Sequence, residues 1–169
     1  MIGDNRESIF ASAETLRNDF ATVVEDEPLV GDVNDAANII YQKLKEVEVN
    51  NKPTAIVWGG ETTVKIKGTG LGGRNQELAL IVAKLAHEHP STKSWVFLSA
   101  GTDGRDGPTE AAGAIVDQDT CQRVLEKGCE VTEFLSENNS NEALRISDDL
   151  LQIGATGTNV ADVQILIIS

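Results

Sequence analysis

Apolar residues along this chain recur with two different periods, and the periods alternate from segment to segment. That alternation limits the fold more than any other feature. Behind Asp4 or Asn5 as a cap, Ile9, Ala13, Leu16 and Phe20 stand at helical spacing. ATVVED then reads as a short buried strand, and GDVNDAANIIYQKLKEV returns to the helical period with Val33, Ala37, Ile40, Leu44 and Val47 on one face. TAIVWGG is an apolar strand, and TTVKIKG alternates Val64 and Ile66 with lysines, as a half-exposed strand does. These two are expected to pair as a hairpin or strand pair around Gly59 and Gly60. NQELALIVAKLAHE stripes Leu78, Ile81, Val82 and Leu85 along a helix. SWVFLSAG is the near-continuous apolar run expected at the centre of a parallel sheet covered on both faces. AAGAIVD supplies another strand, TCQRVLEKG a helix stopped by Gly128, and VTEFLSENNSNEALRI two short helices broken at Asn138 to Asn141. NVADVQILIIS ends the chain as a strand. Strands alternating with helices over 169 residues indicate one domain, a three-layer α/β/α sandwich with a mixed, mainly parallel sheet of Rossmann-like type.

Charge narrows the partners. A net charge of −13, with only 14 lysines and arginines scattered through the chain, argues against nucleic acid, so an anionic ligand must be held locally. No apolar run approaches the roughly 18 residues of a membrane helix, and MIGDNRESIF interleaves acid and base where a signal peptide would be apolar. A cytoplasmic protein is expected, or a mitochondrial one if a parent chain carries an upstream targeting segment. Cys121 and Cys129 read as reduced thiols. His87 and His89 lie two apart at a helix end, where they diverge instead of chelating a metal.

The candidate chemistry lies in four glycine-rich loops at strand ends. GTGLGGRNQE opens the strongest helix, and its Gly68, Gly70 and Gly73 formally satisfy the dinucleotide pattern G-x-G-x-x-G. The ribose-binding acid about 20 residues on is missing, however, since Asp103 is too far along the chain. A P-loop fares no better, because Arg74 and Asn75 stand where it needs Lys and Ser or Thr. What remains is a physical reading: glycine amides and a helix N-terminus favour an anion, and Arg74 adds a fork suited to carboxylate or phosphate. In SAGTDGRDGPTEAAG, Thr102, Asp103, Gly104 and Asp106 follow the most apolar strand, and the two aspartates can hold a divalent cation or take a proton from a hydroxyl. GGETTV presents Gly59, Gly60, Glu61 and Thr62, and GATGTNVAD presents Thr156, Gly157, Thr158 and Asn159.

Taken together, GGETTV, GGRNQELAL, GTDGRDGPTEAAGA and TGTNVADVQILI resemble the MOFRL domain, the C-terminal domain of the glycerate 2-kinases, also called hydroxypyruvate reductases. The likeness extends to IGDNRESIFASA and GDVNDAANII, and so over essentially the whole chain. Trp58 stands where the family usually has a small residue, and Ala155 where a proline is common. The resemblance implies ATP-dependent phosphorylation of D-glycerate to 2-phosphoglycerate, with Mg²⁺, in a cleft shared with a larger N-terminal domain of the same chain. It implies catalytic roles for Arg74, Asp103 and Asp106, the aspartates as Mg²⁺ ligands or base. Substrate or nucleotide would be bound by Gly59, Gly60, Glu61, Thr62, Gly72, Gly73, Asn75, Gln76, Glu77, Thr102, Gly104, Thr156, Gly157, Thr158 and Asn159. Two alternatives stand beside it: a stand-alone nucleotide- or phosphate-binding module without chemistry, and an NAD(P)-dependent hydroxypyruvate reductase.

Overall fold

The computed structural model describes residues 5–47 and 53–169. Its elements run α1 (Asn5–Leu16), β1 (Ala21–Val24), β2 (Leu29–Asp32), α2 (Val33–Val47), β3 (Thr54–Thr63), α3 (Arg74–Glu88), β4 (Trp95–Gly101), β5 (Gly113–Asp117), α4 (Thr120–Leu125), α5 (Val131–Ser136), α6 (Ser140–Ser147), β6 (Leu150–Leu151) and β7 (Asp162–Ile168). The strands form one sheet in the order β1-β3-β7-β4-β5-β6, with β2 beside β3 beyond the end of β1. This is the expected α/β sandwich on a mixed sheet. The balance of pairing differs from expectation. Only β1 and β2 run parallel to β3, whereas β3–β7, β7–β4, β4–β5 and β5–β6 are all antiparallel.

The two faces are covered unequally. On one, the buried residues of α2, α3, α4, α5 and α6 share a cluster with Ile56, Trp58, Phe97, Val116, Leu166 and Ile168. The stripe read on α2 is there in full, since Val33, Ala37, Ile40, Leu44 and Val47 are all buried. On the other face α1 is the only helix among the described residues, setting Ile9 and Ala13 on Val57 and Val163. Burying an aliphatic side chain is worth about 1.5–3 kcal/mol, so the larger cluster carries most of the stability. Trp58, the departure from the family pattern, is part of it and only 1% exposed.

Three local readings are corrected. ATVVED is not a buried strand: β1 is the sheet edge, and Val23 is 47% exposed. No hairpin turns at Gly59 and Gly60, because β3 runs straight through both to Thr63 and residues 64–73 form no strand. Gly60 permits this by taking φ +146, where a Cβ would lie 2.1 Å from the Leu29 carbonyl oxygen, so β2 can close on β3 only over a glycine. Helix α1 stops at Leu16, short of Phe20, and the Asn5 side-chain NH2 donates to the carbonyls of Val160 and Asp162, where the chain enters β7. The alternative cap, Asp4, lies outside the described residues. Both cysteines are free, and burial pushes the Cys121 thiol up to about 11, which keeps it protonated and inert.

Candidate active site

Sheet topology brings the four loops to one place. Strand β7 is antiparallel to both of its neighbours, so its first residue meets the carboxyl ends of two strands: Asp162 lies opposite Gly60 of β3 and Gly101 of β4. The carboxyl end of β3 brings Glu61 and Thr62, the loop after β4 brings Asp103 and Asp106, and the start of α3 brings Arg74. Together with Gly72, Gly73, Arg105, Asn159 and Asp162 they line a cleft of about 720 Å³, within the range of small-molecule sites.

Arg74 is the centre of this wall. Its Nε donates to Asp162 Oδ2 at 2.7 Å and its Nη2 to Asp162 Oδ1 at 3.0 Å, while Nη1 donates to Glu61 Oε1 at 2.8 Å. Asp162 is fully buried, whereas the Glu61 side chain is 60% exposed. Burial pushes the Asp162 carboxyl above the ordinary aspartate range against the pull of Arg74, and the bond to Asp162 in turn raises Arg74. The fork read as free for a ligand is therefore half spent inside the protein.

Asp103 and Asp106 do not form a pair with one function. Asp106 is 3% exposed and caps α3: Oδ1 accepts from the Asn75 amide and side chain, and Oδ2 from the Gln76 amide and side chain. Its lone pairs are saturated, and the anion favoured by the helix N-terminus is the protein's own. Asp103 turns outward, with Oδ1 accepting the Arg105 amide at 3.0 Å. Among the described residues no three His, Cys, Asp or Glu side chains converge as a metal centre. Magnesium needs only one or two carboxylates when phosphates complete its shell, and Asp103 fits that part.

Several expected contact residues stand behind the cleft. Asn75, Gln76 and Glu77 are buried, Asn75 accepting from Ser99, Gln76 bridging Thr109 and Asn141, and Glu77 accepting from Asn138. Gly59 faces away, where its Cβ would collide with Asn5 and Ile9. The loop at 102–104 and the loop at 154–161 are stitched together: Thr102 donates to the Ala161 carbonyl, the Val160 amide to Thr102, Thr156 to the Thr102 carbonyl, and the Thr156 amide to the Asp103 carbonyl. Gly104 is needed there, since a Cβ would lie 1.9 Å from the Gly154 carbonyl oxygen. Gly157 and Thr158 are exposed on that loop, and Asn159 reaches the cleft. Sequence reasoning passed over Asp162 and Arg105. The signal for Asp162 is an acid at the head of DVQILII, a strand whose other residues are apolar except Gln164.

A mixed-sheet α/β domain whose loops gather an arginine and carboxylates where β7 enters the sheet has the form of a ligand-binding domain. Residues 54–162 match the MOFRL family, and the chain belongs to that family. It is 45% identical over 135 residues to a D-glycerate 2-kinase of Thermotoga maritima, covering 78% of this chain and 32% of that protein. Against a glycerate 2-kinase of Pyrococcus horikoshii it is 38% identical over its whole length, which is 39% of the relative. The crystal structure of a Thermotoga maritima glycerate kinase superposes with a TM-score of 0.92 at 37% identity, covering 99% of this chain and 41% of that one. The chain thus spans about a quarter to two fifths of the relatives it matches.

Proposed function

We propose that this domain forms one wall of a glycerate kinase active site, the rest of which is supplied by a preceding domain of a longer parent chain. The observation that supports this most is Arg74: clamped from behind by Asp162 and one third exposed, it faces the cleft beside Asp103. In the proposed reaction the hydroxyl at C2 of D-glycerate attacks the γ-phosphorus of ATP, ADP leaves, and 2-phosphoglycerate forms. Arg74 stabilises charge on the transferred group or anchors the substrate carboxylate. Asp103 either receives the hydroxyl proton or contributes an oxygen to Mg²⁺, which when bound neutralises phosphate charge. Asp106 holds the loop and α3 in register and takes no part in the transfer.

Steady-state kinetics of the full-length parent tests this reading. Turnover of D-glycerate with ATP is expected, and Arg74→Lys should lower it, because an ammonium cannot reproduce a planar fork. A group that stabilises transferring charge is worth roughly 10³–10⁵ in rate, so a loss of that size in kcat assigns Arg74 to the phosphoryl group; a loss confined to KM assigns it to the substrate. Unchanged kcat and KM would remove the functional reading of the loop.

A further inference from the structure

Resting on that reading of the cleft, we infer that Asp162 is the positioning residue of the site: it fixes the Arg74 guanidinium by its Nε and Nη2 edge so that Nη1 is the end offered to a ligand. Two parallel bonds of 2.7 and 3.0 Å set both the distance and the plane of the guanidinium, which a single bond would leave free to rotate. The carboxylate is itself immobile. Its backbone is paired on one side with Gly60 and on the other with Gly101, and its carbonyl accepts the Asn5 side-chain amide at 3.0 Å. Ala161, just before it, takes the left-handed conformation at φ 65, and its carbonyl is held by the Thr102 amide and hydroxyl. A non-glycine residue in that conformation is strained, so the turn that delivers Asp162 is enforced by its surroundings.

The two carboxylates on Arg74 differ in kind. Asp162 is fully buried and its removal would leave a partly buried guanidinium without its partner, while Glu61 sits on the rim, mostly in water. Screened by solvent, the Glu61 contact is weak and exchangeable. An incoming carboxylate or phosphate therefore takes the place of Glu61 on Nη1 and leaves the Asp162 fork intact.

Nitrogen-15 NMR of this chain reads the fork directly. The Arg74 Nε–H signal, assigned by its loss in Arg74→Lys, should exchange with water far more slowly than that of exposed Arg105. It should stay slow in Glu61→Gln and become fast in Asp162→Asn while the backbone amide spectrum stays dispersed. Fast exchange in the wild-type chain overturns the inference without recourse to any variant, as does slow exchange that survives Asp162→Asn. In the full-length parent, Asp162→Asn should lower kcat/KM by about 10- to 100-fold, in the same parameter as Arg74→Lys, and the double variant should lose no more than Arg74→Lys alone. Losses that multiply would show that Asp162 acts independently of Arg74, against the inference. A parent that does not phosphorylate D-glycerate would instead count against the function proposed above, and the NMR result would still decide the part played by Asp162.

Discussion

Asp103 and Asp106 sit on one loop and have the same chemistry, yet their surroundings separate them. Asp106 accepts four hydrogen bonds from the first turn of α3, so replacing one oxygen by an amide turns an acceptor into a donor facing N–H groups. Asp106→Asn should cost about 1–3 kcal/mol in a denaturant titration. Asp103→Asn keeps an oxygen for the Arg105 amide and should stay within about 0.5 kcal/mol of wild type, while lowering kcat in the full-length parent. If the two substitutions cost the same stability, Asp106 is not the cap of α3. The sequence showed two aspartates among glycines, which is enough to mark a loop as polar and tightly turned. It could not show which carboxylate faced inward, because the partner amides of Asn75 and Gln76 belong to a different element.

The glycines before α3 raise the same issue for a whole segment. The pattern suggests a cradle for an anion, but the amides of Gly68 and Gly70 are taken: Asn138 Oδ1 accepts from Lys67 and Gly68, the Glu137 carbonyl from Gly70, and Asn139 Oδ1 from Leu71. Gly68 and Gly70 are there because the turn between α5 and α6 presses on the loop. A Cβ on Gly68 would lie 2.4 Å from Glu137 Cα, and one on Gly70 2.4 Å from Asn139 Cβ. Gly68→Ala should therefore destabilise by about 1–3 kcal/mol or more, seen as a lower thermal midpoint; an unchanged midpoint would mean that the loop and turn are not in close contact. The helices themselves were readable from their stripes, but a loop pressed by a distant turn leaves no mark in local periodicity. The same contact buries Glu77, whose carboxyl is raised above the ordinary glutamate value by burial, against the hydrogen bond from Asn138. A carboxyl raised on folding takes up a proton as the chain folds, so its burial costs stability at pH 7 and ceases to do so as pH falls through the raised value toward 4.5. Glu77→Gln should thus help most at pH 7, and its advantage in thermal midpoint should shrink by pH 5. An advantage that grows on acidification would reverse the sign of this argument.

Over the molecule as a whole, the alternating periods were sufficient for an α/β sandwich and for most of its elements. They carried no information on strand direction, since an apolar run looks the same whichever way its neighbours run, and so the antiparallel insertion of β7 between β3 and β4 was not readable. That insertion is what makes the cleft, and the cleft has a charge problem. Among the described residues Glu61, Asp103, Asp106 and Asp162 line it against only Arg74 and Arg105, and the chain carries −13 overall. On the proposed reading the ligands, D-glycerate and ATP, are both anions, and a wall with this balance would repel them unless cations from Mg²⁺ and from further protein groups completed the site. Phosphoryl transfer is mainly positioning and charge stabilisation, so an incomplete wall should contribute little by itself. The chain should nevertheless fold alone, because five helices and one sheet face close a continuous core. We therefore expect a single cooperative thermal transition for the isolated domain together with no measurable phosphorylation of D-glycerate at saturating ATP and Mg²⁺. Turnover near that of the full-length parent would mean that this wall is a complete active site. A broad transition would mean that the missing activity reflects a loosely folded chain, and the charge argument would lose its support.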